Sequence, residues 1–227
     1  MIPSGSKMAA TAKSTYGQKL GPEGEEYLKA ILGAVEKAWD KWQTSLKWGG
    51  NTVNGAGVGA WSGSGSGGVM TGDPFELKDF SFKGNSPQQK KFTKALADAL
   101  AEKFPDWVSS YKINGTSYTG TSGATPTAPG PVQAQSAATP LQAGGKGTEP
   151  SGIAALWKSA LKPPDFDLNN PQCKSGKLMD AIAKTIENEF KSTWLLTAKL
   201  MGNSLAATGA PGGAIPPTTT PSDGTVV

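Results

Sequence analysis

Three stretches of the chain carry an apolar residue at every third or fourth position. The first runs Tyr27, Leu28, Ile31, Leu32, Val35, Trp39, Trp42 and Leu46. The second runs Phe92, Leu96, Leu100, Phe104, Trp107 and Tyr111, and the third Leu178, Ile182, Ile186, Phe190 and Trp194. That period puts the apolar residues on one face of a helix, so each stretch predicts a long amphipathic helix. The starts are signed. Ser86 followed by Pro87 and Gln89 reads as a capping box, and Asn170 before Pro171 repeats the N-cap logic. Glycines mark the expected stops at Gly49–Gly50, Gly115 and Gly202. Pro105 falls inside the second stripe and is expected to kink the helix or convert its last turn. A shorter helix is expected over Gly152–Lys162, with Leu156, Trp157 and Leu161 packing.

The three stripes also resemble one another. Reading onward from Trp42, Trp107 and Trp194, the chain fits W-x-x-[ST]-x-K-[WIL]-x-G-[NT] each time, and Val53, Tyr118 and Leu205 follow eleven positions after each tryptophan. Pro22, Pro87 and Pro171 open the segments, 20, 20 and 23 residues before the tryptophans. Three extra residues are about one helical turn and keep the buried face roughly in place. The pattern predicts a three-fold internal repeat. Its packing core is expected at Trp42, Leu100, Phe104, Trp107, Ile186, Phe190 and Trp194, with Gly50, Gly115 and Gly202 as the turns.

Between the stripes the composition changes. Residues 53–72 are nearly all Gly, Ser and Ala, 121–150 carry five prolines, and 202–227 carry Pro211, Pro216, Pro217 and Pro221. Such stretches read as extended arms or linkers, ordered by lying on neighbouring subunits rather than on the chain's own helices. The expected architecture is therefore mainly α with little β. It has an N-terminal arm at 1–20, a first helical repeat with a Gly-rich arm at 21–72, and a second repeat at 73–120. A Pro/Gly/Ala/Thr linker at 121–150 leads to a short helix and third repeat at 151–203 and a C-terminal extended arm at 204–227.

Composition narrows the chemistry. The basic residues number 22, all of them lysine; there is no histidine, no arginine, and a single cysteine, Cys173. A Ser-His-Asp triad, a Cys-His pair, a His-ligated metal and an arginine finger are excluded. The net charge is +4, but lysines interleave with acids at Glu25…Lys29, Asp180…Lys184 and Glu187…Lys191, the spacing of solvated helix faces. Neither a nucleic-acid nor a membrane partner is expected. No apolar run approaches the ~20 residues of a membrane span, and Met1–Lys7 lacks the apolar stretch of a secretory leader.

The remaining motifs have plainer readings. Gly55–Ala60 fits a dinucleotide fingerprint, but Trp61-Ser62-Gly63-Ser64-Gly65 follows where a helix must start. Ser159–Lys162 fits S-x-x-K without its companion motifs. Asn114-Gly115-Thr116 reads as a turn. Asp165 with Asp167, and Glu187 with Glu189, lack a third cation ligand. The tryptophans sit on helix faces, so core packing is expected before stacking on sugars or bases. No enzyme, cofactor or metal is expected.

Capped helix-then-glycine units such as Phe92–Leu100…Asn114-Gly115-Thr116 and Leu178–Ala183…Gly202-Asn203, joined by neutral Gly/Pro/Thr segments, resemble structural proteins of tailed bacteriophages and related contractile injection particles. The resemblance covers about half the chain. It implies a virion component made in the host cytoplasm, in the tail, baseplate or neck. There the chain would oligomerise with other structural proteins and contact several copies of one neighbour. A capsid-surface or minor capsid protein, or a secreted carbohydrate-binding module, are the alternatives.

Overall fold

The computed structural model describes residues 4–56, 59–78, 80, 86–111, 116–123, 130–136, 139–140, 147, 149–161, 174–194, 199–201, 204–209, 214–219 and 224–226. The described residues are mainly helical, with five α-helices among them and a sheet of shorter strands. The helices are α1 (Gly5–Tyr16), α2 (Pro22–Ser45), α3 (Pro87–Val108), α4 (Ile153–Ala160) and α5 (Lys174–Glu189), and α5 runs on into a π-helical turn, Phe190–Trp194. Residues divide into two compact units. A helical unit holds 1–42, 74–107 and 146–196, and a sheet unit holds 43–73, 108–145 and 197–227. The chain thus enters the sheet unit three times. No helix among the described residues is long and apolar enough to cross a membrane.

In the helical unit the three stripes fold as their period predicts. Residues Tyr27, Leu28, Ile31, Leu32, Val35 and Trp39 of α2 are buried, as are Phe92, Leu96, Leu100 and Phe104 of α3 and Met179, Ile182 and Ile186 of α5. The α3 capping box forms: Ser86 N donates to Gln89 Oε1 at 2.7 Å, and Gln89 N donates to Ser86 Oγ at 3.2 Å. Pro105 does not end α3. It sits exposed in the last turn, where only one backbone bond is lost, and the helix runs on to Val108.

Residues 1–20, expected as an arm, contain α1. Ser4 caps it, its Oγ accepting from Lys7 N at 3.3 Å, and Gly17 ends it in the left-handed region at φ 67°. Met8, Ala9, Ala12 and Tyr16 recur at near-helical spacing and are buried, and α1 packs along α5. Against α2 the approach is close enough that a Cβ on Gly5 would lie 2.5 Å from Gly33 Cα. Gly5 N donates to Glu36 Oε2 at 2.6 Å, tying a free N-terminal N–H of α1 to a carboxylate. Between Met8 and Tyr16 the buried face of α1 holds only Ala9 and Ala12, too little apolar bulk to show as a stripe.

The β structure lies in the sheet unit, in short strands. Among the described residues there are nine strands: β1 (Lys47–Ala56), β2 (Gly59–Thr71), β3 (Thr116–Ser122), β4 (Gly130–Ser136), β5 (Thr139–Pro140), β6 (Lys199–Met201), β7 (Ser204–Gly209), β8 (Ala214–Thr219) and β9 (Gly224–Val226). They pair antiparallel in the order β5-β6-β9-β1-β2-β3-β4-β7, with β8 pairing β1 as well. β7 also lies beside β8, so the two ends of the run from β8 through β1 to β7 come together. The segments read as arms, 53–72, 121–150 and 204–227, therefore contribute strands to the chain's own sheet. Antiparallel pairing satisfies their backbone groups without needing large side chains.

The glycine turns also differ. Helix α2 ends at Ser45, where Leu46 N donates to Gln43 O at 3.2 Å, and Gly49 and Gly50 lie inside β1. Helix α3 ends at Val108, with Tyr111 N donating to Val108 O at 3.1 Å. Gly115 and Gly202 lie outside the described residues, as do Asn170, Pro171 and Cys173.

Candidate functional site

Four of the residues expected to pack, Trp42, Phe104, Trp107 and Phe190, meet in the helical unit. Trp42 of α2, Phe104 and Trp107 of α3 and Phe190 of the π-helical turn form one aromatic cluster with Trp39 and Phe75. Trp39 stacks on Phe190 with ring centroids 3.3 Å apart and planes 10° from parallel. Phe75 stacks on Phe104 at 4.2 Å, while Phe190 meets Phe104 at 4.5 Å and Trp107 at 5.3 Å edge-on. Trp42 meets Phe104 edge-on at 5.2 Å. Such pairs add to area burial through the ring quadrupoles. Leu100 and Ile186 are fully buried in the same unit. Trp194 ends the π-helical turn, its side chain outside the described set. Phe75 has no stripe in the sequence to announce it, because it lies in residues 72–77, which belong to no helix or strand.

Every tryptophan whose side chain is described is buried: Trp39, Trp42, Trp48, Trp107 and Trp157. None presents a face to a sugar or base. Trp157 Nε1 donates to Phe92 O at 2.9 Å, whereas Trp39 Nε1 is buried with no hydrogen-bond partner among the described residues. Where α2 and α3 begin, Tyr27 and Thr93 share a buried hydroxyl–hydroxyl bond of 2.7 Å. Burial pushes the Tyr27 phenol up to about 12, against the opposing effect of the Thr93 bond, so it stays neutral. A cavity of about 190 Å³ beside it is lined by Gly24, Tyr27, Gln88, Gln89, Phe92, Ser175 and Leu178 and holds no charged group.

No group of three or more His, Cys, Asp or Glu side chains able to hold a metal occurs among the described residues. Of the weighed carboxylates, Glu187 is half-buried and accepts from Ile153 N at 3.4 Å. It caps α4, whose own N-cap, Gly152, has no side chain to do so. Burial raises the Glu187 carboxyl above its usual range. The Ile153 bond opposes that shift, and the neighbouring Glu149 charge adds to it. Glu189 accepts from Thr193 at 3.4 Å. Asp165 and Asp167 lie outside the described residues. Ser159 Oγ donates to Leu156 O at 2.8 Å, a helix back-bond and not an activated nucleophile. Gly55–Ala60 spans the β1–β2 connection, with Ala56 opposite Ser62, so strand leads to strand and no helix follows to receive a phosphate.

The sheet unit presents a surface of different chemistry. Along β3 exposure alternates: Ser117, Thr119 and Thr121 are exposed, while Tyr118 and Ser122 are buried. On β2, Ser62 and Ser64 are exposed and stand opposite Thr119 and Ser117. On β4, exposed Gln133 stands opposite Thr121. The result is a hydroxyl and amide face across three adjacent strands with no charge in any of them. Of the chain's lysines and acids, only Lys47, Lys112, Lys199, Asp73 and Asp223 fall within the sheet unit's residue ranges. Composition reports those segments as low in charge, but only the strand pairing reveals one polar face.

Neither a protein-family model, nor a curated protein, nor a solved structure matches the chain.

Proposed function

We propose that the chain is a non-enzymatic structural protein of a virus particle of the tailed-phage type. It serves there as a tail, baseplate or neck component that joins several copies of a neighbouring subunit. The observation that carries the reading is the threading. The chain leaves the helical unit after Trp42, after Trp107 and after Leu196, two residues past Trp194, and each time enters the sheet unit. Each tryptophan lies in the closing turn of its helical segment. The first lysine of each sheet-unit passage, Lys47, Lys112 or Lys199, follows its tryptophan by five positions. A three-fold repeat of helix, tryptophan and extended chain accounts for this regularity, and a thrice-built subunit offers similar surfaces to several copies of one partner.

The chemistry of the described residues favours assembly over catalysis. Their aromatic cluster is core, and Glu36, Glu187, Ser4, Ser86 and Ser159 serve as helix caps or back-bonds. The partners are other structural proteins, with neither nucleic acid nor membrane among them, and the contacts come from the surfaces of the two folded units. The test is to sediment particles from lysed source cultures and quantify the chain by mass spectrometry. It co-sediments at a fixed stoichiometry if the reading holds; recovery wholly in the supernatant contradicts it.

A further inference from the structure

We infer that the sheet unit is a closed barrel of three equivalent hairpins, and that its rim and wall bind three copies of one neighbouring subunit to one copy of the chain. The inference rests on the proposed particle reading and adds to it the number and symmetry of the partner. Each long helical segment is followed by one antiparallel hairpin. These are β1 with β2 after α2, β3 with β4 and β5 after α3, and β6 and β7 with β8 and β9 after α5 and its π-helical turn. β4 and β5 lie on one line of chain. Gly130 pairs Gly209 and Thr139 pairs Leu200, nine residues on in one line and nine back in the other, so the register of β4 with β7 continues into β5 with β6. β8 and β9 likewise share one line along β1. Thr219 stands opposite Thr52 and Thr225 opposite Lys47, six residues against five, a difference of one bulged residue.

The hairpins meet in a ring. The second joins the first where Tyr118 of β3 stands opposite Gly63 of β2. The third joins the second where Leu205 of β7 stands opposite Ala134 of β4. The first joins the third where Val53 of β1 stands opposite Thr218 of β8. The last join returns to the start, so six lines of strand close on themselves. Val53, Tyr118 and Leu205 are the residues eleven positions after Trp42, Trp107 and Trp194. One sequence position makes the same join three times, the mark of a three-fold axis through the barrel. Eight strands leave an interior just wide enough for side chains to fill, so six make a solid post and not a channel.

A surface that repeats three times around an axis fits a partner present three times around it. The chemistry of the barrel says how that partner is held. The nine strands contain two charged residues, Lys47 and Lys199, which begin β1 and β6. Both lie at one end of the barrel, since Thr225 pairs Lys47 on one side and Met201 on the other. Each follows its tryptophan by five positions, as does Lys112, which lies outside the described residues. Lys47 is exposed. A neutral wall is covered without stripping water from an ion, and the rim lysines select one acidic residue from each partner copy, which sets its register.

The test is carbodiimide cross-linking, which joins lysine to carboxylate, on intact particles from the source culture, with absolute quantification by isotope-labelled peptides. Native mass spectrometry of the purified chain accompanies it. The purified chain is expected to be a monomer, because its own three hairpins complete the ring. In particles, Lys47 and Lys199 are expected to link to the same site of the same neighbouring protein, present at three copies per chain or a multiple of three. Links to unrelated sites, no link from either lysine, or a ratio that is not a multiple of three overturns this inference and leaves the particle reading standing. A trimer of the purified chain, or links between its copies in particles, overturns it in favour of self-assembly. Absence of the chain from particles overturns the particle reading and this inference with it.

Discussion

The helical and sheet units reach a folded state by different means. The helical unit carries nearly all of the charge and buries large side chains: Trp39, Trp107, Trp157, Phe75, Phe104 and Phe190 are all shielded from solvent. The sheet unit carries five charged residues, and its longest strands, β1 and β2, are written largely in Gly, Ser, Asn and Thr. Its described large buried residues are few, among them Leu46, Trp48, Met70, Tyr111 and Tyr118. One unit is specified by side-chain packing. The other is specified by backbone pairing, with a few aromatic residues setting which face is buried. Packing of large rings is costly to disturb, whereas an exposed hydroxyl face is free to vary.

The largest expected effect strikes the aromatic cluster. Phe190 touches Trp39, Trp42, Phe104 and Trp107, so Phe190→Ala should cost about 3–5 kcal/mol. Chemical denaturation followed by tryptophan fluorescence reads it. A cost below about 1 kcal/mol would mean that the rings are not packed as described and would erase the contrast between the units.

Next comes the crossing of α1 and α2. Gly5→Ala drives a methyl into the Gly33 backbone and should destabilise by about 1–3 kcal/mol. Gly33→Ala meets nothing within 4 Å and should stabilise by about 0.5–1 kcal/mol through helix propensity. Opposite signs at two glycines in one contact would sharpen the picture of α1 as a packed helix. Equal, small effects would return residues 5–16 to the status of an arm. Thermal melts of the two variants decide it.

The smallest effect is electrostatic. The Glu187 carboxyl is raised in the folded state, so the folded chain holds its proton to higher pH than the unfolded chain does. Its contribution to stability is present below the ordinary value of 4.5 and is lost as pH rises through the folded value. Glu187→Gln keeps an acceptor for Ile153 N and removes the titration. The variant should show a flatter pH–stability profile above 4.5 and be no less stable than wild type at neutral pH. An unchanged slope in urea titrations across that range would show that the Glu187 carboxyl is not buried as described.

The helical unit was legible because its signals are strong and local. Large apolar residues recur with the helical period in α2, α3 and α5, and Ser86 with Gln89 spells out a cap. Helix α1 was missed because Gly5, Ala9 and Ala12 carry too little apolar bulk to form a visible stripe. The sheet was missed for a deeper reason. In β1 and β2, Gly with Asn, Thr or Ser fills most positions of both faces, so the apolar–polar alternation that marks a strand is absent. What orders these segments is pairing between residues far apart in the chain, such as Ala134 with Leu205 and Val53 with Thr218. No local window contains that information. The hydroxyl face was hidden with it, since β3 becomes two-sided only when Tyr118 is known to be buried.

The central claim is that the Gly-, Ser- and Pro-rich segments are strands of the chain's own sheet and not free arms. Hydrogen–deuterium exchange of the full chain, read by mass spectrometry, tests it most directly. Peptides covering 47–56, 59–71, 116–122, 130–136 and 204–209 should exchange far more slowly than free peptides, because their amides are held in antiparallel ladders. Exchange of those peptides at free-peptide rates, while α2, α3 and α5 stay protected, would contradict the account.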